Sequence, residues 1–147
     1  MRRSNLYDRG NAYISLVFGF AQTAALAKEG SQNAGVRDQR LAIEWVHDNI
    51  EAFGGDPERI TIHGQSSGGL AIGIQMLAYG NSKPYPFQQA IPESQILEPD
   101  ITGNVSRHSM ARVWKKANCT EYSLDSEAAV ECLRNVPMTV CISESQR

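Results

Sequence analysis

Residues 60–70 read Ile60-Thr61-Ile62-His63-Gly64-Gln65-Ser66-Ser67-Gly68-Gly69-Leu70. The opening residues are rich in β-branched side chains and follow Gly54-Gly55-Asp56-Pro57, which predicts a short strand entered from a turn. Beyond Gly68, Leu70, Ile74 and Leu77 recur at helical spacing. Ser66 therefore falls where a strand ends and a helix begins. In that context Gly64-Gln65-Ser66-Ser67-Gly68 predicts a nucleophile elbow. A serine at the crest of so tight a turn needs strained backbone angles, and its neighbours two residues away, Gly64 and Gly68, must approach without a Cβ. The helix start adds unpaired N–H groups and a positive dipole end. The Ser67 N–H is expected to face an oxyanion formed when Ser66 attacks a carbonyl.

Working outward, the pattern is α/β. A strand is expected over about 13–18, then a loop to about 35 and a helix over about 36–51 with Val36, Ile43, Val46, Ile50 and Phe53 on its buried side. Gly54-Gly55 is placed to end it. The elbow strand and a helix to about Tyr79 follow, then a strand near 87–91 and helices near 105–117 and 126–134. Alternating strands and helices predict a parallel sheet, here incomplete, with about three strands. Pro92 cannot donate to a ladder, so the strand near Ile91 is expected to be shortened or distorted. We assign residues 1–100 to a partial hydrolase-type core and residues 101–147 to a helical segment of the same domain with an unrelated tail. A sheet this small leaves apolar edges and an uncovered face, which predicts poor solubility or partial folding of the chain alone.

The stretch before the elbow carries a resemblance. Asn33-Ala34-Gly35-Val36-Arg37-Asp38-Gln39-Arg40, then Leu41-Ala42-Ile43-Glu44-Trp45-Val46-His47-Asp48-Asn49-Ile50, then Glu51-Ala52-Phe53-Gly54-Gly55-Asp56-Pro57 resembles the type-B carboxylesterase family, which includes fungal lipases and cholinesterases. The likeness extends more loosely over about 12–138. It implies an α/β-hydrolase fold, a serine nucleophile at Ser66, and an acid and a base that follow in chain order as glutamate and histidine. Nothing after Ser66 in this chain matches those two. The resemblance places them beyond Arg147, and the family's oxyanion loop before Met1. Gln65 and Ser67 stand where the family more often has glutamate and alanine, and Pro92 and Gln95 depart further. The expectation is thus a carboxylic ester hydrolase acting on a small-molecule or lipid ester, present as a fragment that needs the remainder of its domain. The alternative is an inactive truncated hydrolase-like or interaction protein.

Other features narrow the field. A net charge of −2 offers no electrostatic case for a nucleic-acid partner. No cofactor is expected for this chemistry, and no cysteine or histidine spacing suggests a metal. No run is long enough to cross a membrane. His47, His63 and His108 lack the pattern of a catalytic base; Asp38, Glu44 and Asp48 read as solvated helix charges. Arg2, Arg3 and Arg9 before the apolar run Ala12–Leu26 have the outline of a secretory signal, but an internal strand is the competing reading. The resemblance places a disulfide between Cys119 and Cys132, a loop whose closure is worth about 3 kcal/mol, and leaves Cys141 over. With Asn104-Val105-Ser106 and Asn118-Cys119-Thr120, which fit the glycosylation acceptor pattern, the cysteine pair points to a secreted, oxidising setting. A cytoplasmic chain with free thiols is the alternative.

Overall fold

The computed structural model describes residues 16–95 and 104–145. Its elements are α1 (Leu16–Phe20), α2 (Ala24–Glu29), α3 (Ala34–Asn49), β1 (Thr61–Gln65), α4 (Ser67–Leu77), β2 (Gln89–Glu93), α5 (Asn104–Lys116), α6 (Glu127–Arg134) and α7 (Met138–Ser145). Short 3₁₀ turns lie at Ile50–Phe53, Pro57–Arg59 and Ala78–Asn81. The described residues divide into two compact units: residues 36–95, and residues 16–35 with 104–145.

The first unit carries the sheet. β1 and β2 pair in parallel from Thr61 opposite Gln89 to Gln65 opposite Glu93, joined by the α4 crossover that parallel strands require. This is an α/β arrangement, as expected, but the described sheet has two strands rather than about three. Where a strand was expected at 13–18, residues 16–18 belong to α1; residues 13–15 lie outside the described part. A short apolar run does not distinguish strand from buried helix.

β2 also runs two residues later than expected, passing through Pro92 opposite Gly64. Glu93 directs its carbonyl to β1, accepting the Ser66 N–H at 3.0 Å. Its neighbour Pro92 therefore turns its nitrogen to the opposite edge, where this pair needs no donor. The proline neither shortens nor breaks the strand.

α3 runs on into the 3₁₀ turn Ile50–Phe53, and Gly54 closes that turn: it takes φ 79° and donates its N–H to the carbonyls of Ile50 and Glu51. Ile50 is buried and Val36, Ile43 and Val46 are half-buried, but Phe53 is 63% exposed. Phe53 lies past the α-helix in the 3₁₀ turn, with its ring centroid 6.3 Å from that of Trp45. Leu41 and Trp45 are exposed as well, so α3 presents apolar side chains on an uncovered face.

Two polar residues form part of this unit's interior, and composition did not announce them. Arg40 is 3% exposed. Its Nε donates to Glu44 Oε1 at 2.8 Å, its Nη2 donates to the Pro84 carbonyl, and its guanidinium lies 5.2 Å from the Tyr79 ring centroid. Gln75 is buried and donates from Nε2 to the Val36 carbonyl at 2.9 Å, tying α4 to the start of α3.

The second unit is helical. α5 packs on α7, α1 on both, and α2 on α6. Its interior holds Ala25, Met110, Val113, Cys119, Ala129, Val130 and Cys141. Cys119 and Cys132 form a disulfide. Cys141 is a free, buried thiol whose pKa is raised by desolvation. Ion pairs join the elements: Lys28 to Glu127 at 2.6 Å, Arg134 to Glu29 at 2.9 Å, and a bidentate Arg107–Asp125 pair. Asp125 also accepts the Ala24 N–H at 3.0 Å. The Arg107 guanidinium and that N–H hold the Asp125 pKa down at about 2. α2 occupies part of the expected loop, and α7 forms where only a tail was read.

Candidate active site

The turn between β1 and α4 is built around one residue. Ser66 has φ 56° and ψ −117°, the angles of the first central position in a type II′ turn, which normally belongs to glycine. Holding a serine there costs on the order of 1–3 kcal/mol. Two backbone bonds clamp it: its N–H donates to the Glu93 carbonyl, and its own carbonyl accepts the Leu70 N–H at 3.0 Å, opening the α4 ladder. Ser66 is exposed and its side chain does not cap the helix. Among the described residues, no side chain hydrogen-bonds its hydroxyl.

The glycines divide the steric work unevenly. A Cβ on Gly64 would lie 2.6 Å from the Gly68 carbonyl carbon and 2.7 Å from its oxygen. A Cβ on Gly68 would meet nothing within 4 Å. Gly64 is thus the residue whose bareness the close approach demands. Two further glycines serve the site and were not singled out by their spacing. A Cβ on Gly69 would sit 2.5 Å from the Glu93 carbonyl oxygen, a backbone atom; one on Gly73 would meet the end of the Gln95 side chain, which can swing aside. The readable signal was glycine at i and i+4 on one helix, a pattern that permits close backbone approach.

Ser67 is the first residue of α4, so its N–H is one of the donors that the helix leaves without an internal partner. It stands next to the Ser66 hydroxyl at the positive end of the helix. Glu93, the backbone anchor of Ser66, also pairs by side chain with His63, Oε1 to Nε2 at 3.1 Å. His63 therefore engages the neighbouring strand; among the described residues no hydrogen bond joins it to Ser66. His47 lies against Asp48 at 3.1 Å, and His108 is an exposed residue of α5. Glu44 is held by Arg40. Among the described residues no cluster of His, Cys, Asp and Glu could hold a metal ion, and no helix is long and apolar enough to cross a membrane.

A strand, a strained exposed serine and a helix, crossing over to a parallel strand, match the arrangement expected around the nucleophile of an α/β-hydrolase. Comparison with known proteins is more specific. A model of the carboxylesterase family matches residues 15–147. A secreted lipase of Arthroderma benhamiae is 62% identical over 120 residues, covering 82% of this chain and 21% of the relative. An inactive carboxylesterase-like protein of Byssochlamys spectabilis is 40% identical over 138 residues, covering 90% of this chain and 23% of the relative. The crystal structure of Aspergillus niger EstA superposes with a TM-score of 0.74 at 30% identity, covering 90% of this chain and 25% of that one. The chain belongs to the carboxylesterase family. It spans about a fifth of the length of the curated relatives it matches.

Proposed function

We propose that this chain carries the nucleophile and one oxyanion donor of a secreted serine hydrolase that cleaves carboxylic esters of small molecules or lipids. Ser66 Oγ attacks the ester carbonyl while a general base takes its proton. The tetrahedral oxyanion is received by the Ser67 N–H, the alcohol leaves with a proton, and water releases the acyl group from Ser66. The observation that carries this reading is the Ser66 backbone at φ 56° with an uncommitted, exposed hydroxyl. A residue kept strained without a capping bond serves something other than stability. The base, the acid and the remaining oxyanion donors come from the rest of the hydrolase domain, which is the partner this stretch requires. Secretion is supported by the names of the lipases it is similar to and by the Cys119–Cys132 bridge.

A second reading, a catalytically inert hydrolase-like protein, is favoured by the 40% identity to a relative named as inactive. One experiment separates the two. The 120-residue stretch that matches the Arthroderma lipase replaces its counterpart there, and ester hydrolysis and fluorophosphonate labelling are measured. Hydrolysis and labelling that both disappear with Ser66→Ala support the enzymatic reading. A folded chimera that is inert, or labelled elsewhere than Ser66, overturns it in favour of the inactive one.

A further inference from the structure

Among the described residues, asparagines stand at the C-terminal ends of three α-helices, and one differs from the others. Asn49 donates its side-chain amide to the Trp45 carbonyl at 2.8 Å, and Asn135 donates to the Glu131 carbonyl at 2.9 Å. Both fold back on their own helix. Asn118 follows α5 with φ 55°, is exposed, and among the described residues makes no side-chain hydrogen bond. Its backbone closes the helix instead: Asn118 N–H donates to Lys115 O at 3.1 Å and Cys119 N–H to Trp114 O at 3.2 Å, a Schellman motif. Glycine would satisfy that turn better. What glycine would not supply is an amide pointing into water, two residues before the exposed Thr120 hydroxyl.

We infer that Asn118, in Asn118-Cys119-Thr120, is an N-glycosylation site, and that the glycan is attached before the Cys119–Cys132 bridge closes. In the transfer, Asn118 Nδ2 forms a bond to the anomeric carbon of a lipid-diphosphate-linked oligosaccharide. The bond from that carbon to the diphosphate oxygen breaks, the lipid diphosphate leaves, and the amide nitrogen gives up one proton. The order follows from burial. Cys119 is fully buried and bridged in the folded chain. The middle residue of the acceptor tripeptide can be presented to a transferase only before the chain packs around it, and the bridge that ties Cys119 to α6 favours that packing. Once the chain folds, the left-handed turn at Asn118 holds the sugar away from the helix and out in solvent.

The inference rests on the secretory reading, so the test supplies that compartment. The full chain is expressed behind an added secretion leader in a fungal host, with Asn104→Gln removing the other acceptor sequence. Total cell protein is compared on denaturing gels before and after peptide-N-glycosidase, which needs no folded product. The expected result is an enzyme-sensitive upshifted band that is lost in Asn118→Gly, which keeps the left-handed turn, and in Thr120→Ala, which keeps Asn118. Cys132→Ser leaves the acceptor sequence intact and is expected to raise the glycosylated fraction. Absence of the band, or its survival in Thr120→Ala, overturns the site; an unchanged fraction in Cys132→Ser overturns the order. Neither outcome touches the ester hydrolase reading, which concerns Ser66 alone.

Discussion

Ser66 and Ser126 occupy the same formal position, the residue just before a helix, and they are built in opposite ways. Ser126 is extended at φ −87° and ψ 153°, and its hydroxyl accepts the Ala129 N–H at 3.1 Å. Thr23 does the same for α2, accepting the Leu26 N–H. These are ordinary caps, in which a side-chain oxygen satisfies a donor that the helix cannot. Ser66 has the wrong backbone angles for that role and leaves its hydroxyl uncommitted. Two hydroxyls therefore stabilise helices, while the third is held in place at the expense of stability by β2 and a bare Gly64. The contrast separates a serine that serves folding from one positioned for chemistry.

The sharpest way to break the contrast is to remove both hydroxyls in the lipase chimera. Ser66→Ala is expected to lower ester turnover by about a millionfold, as loss of the nucleophile does in subtilisin, while Ser126→Ala leaves turnover per folded molecule unchanged. Comparable losses from the two would erase the distinction. Gly64→Ala is the next largest: the collision with Gly68 should cost on the order of 1–3 kcal/mol and disturb the elbow. Gly68→Ala, with open space around its Cβ, should be much milder; denaturant midpoints and labelling rates read both. On the capping side, Ser126→Ala should cost about 1 kcal/mol. Ser66→Gly should instead stabilise by about 1 kcal/mol through relief of strain, although it abolishes chemistry.

The smallest effect is expected from pH, in the region of the ordinary caps. Asp125 has its pKa depressed from 3.8 to about 2. Its contribution is therefore complete above about pH 4 and is lost as the pH falls from there towards 2. Denaturant midpoints measured across that window should fall, and Asp125→Asn should flatten the trend.

The elbow was legible because its signal is steric and local. A serine at that turn needs Gly64, and β-branched residues before it and helical spacing after it set the strand and helix. The helical spacing of Val36, Ile43, Val46 and Ile50 placed α3, and the looser family likeness that runs on to about residue 138 placed the disulfide pair. What escaped was decided by distant partners or by backbone. Glu93 anchors Ser66 through its carbonyl, which any residue type could offer. Arg40 looks like a surface residue until its contacts with Glu44, Pro84 and Tyr79 are seen. The Leu16–Phe20 segment is apolar enough for strand or helix, and packing against α5 and α7 decides between them. Phe53 keeps the helical spacing but falls beyond the end of α3.

The burial of Cys141 has a consequence for oxidative maturation. Three cysteines allow three pairings, and exchange among them requires a thiolate. A thiol buried in α7, with its pKa raised by desolvation, is a poor attacker of a disulfide. Once the helices have assembled, the 119–132 linkage is protected from scrambling by the inertness of its would-be competitor, and no additional covalent bond is required.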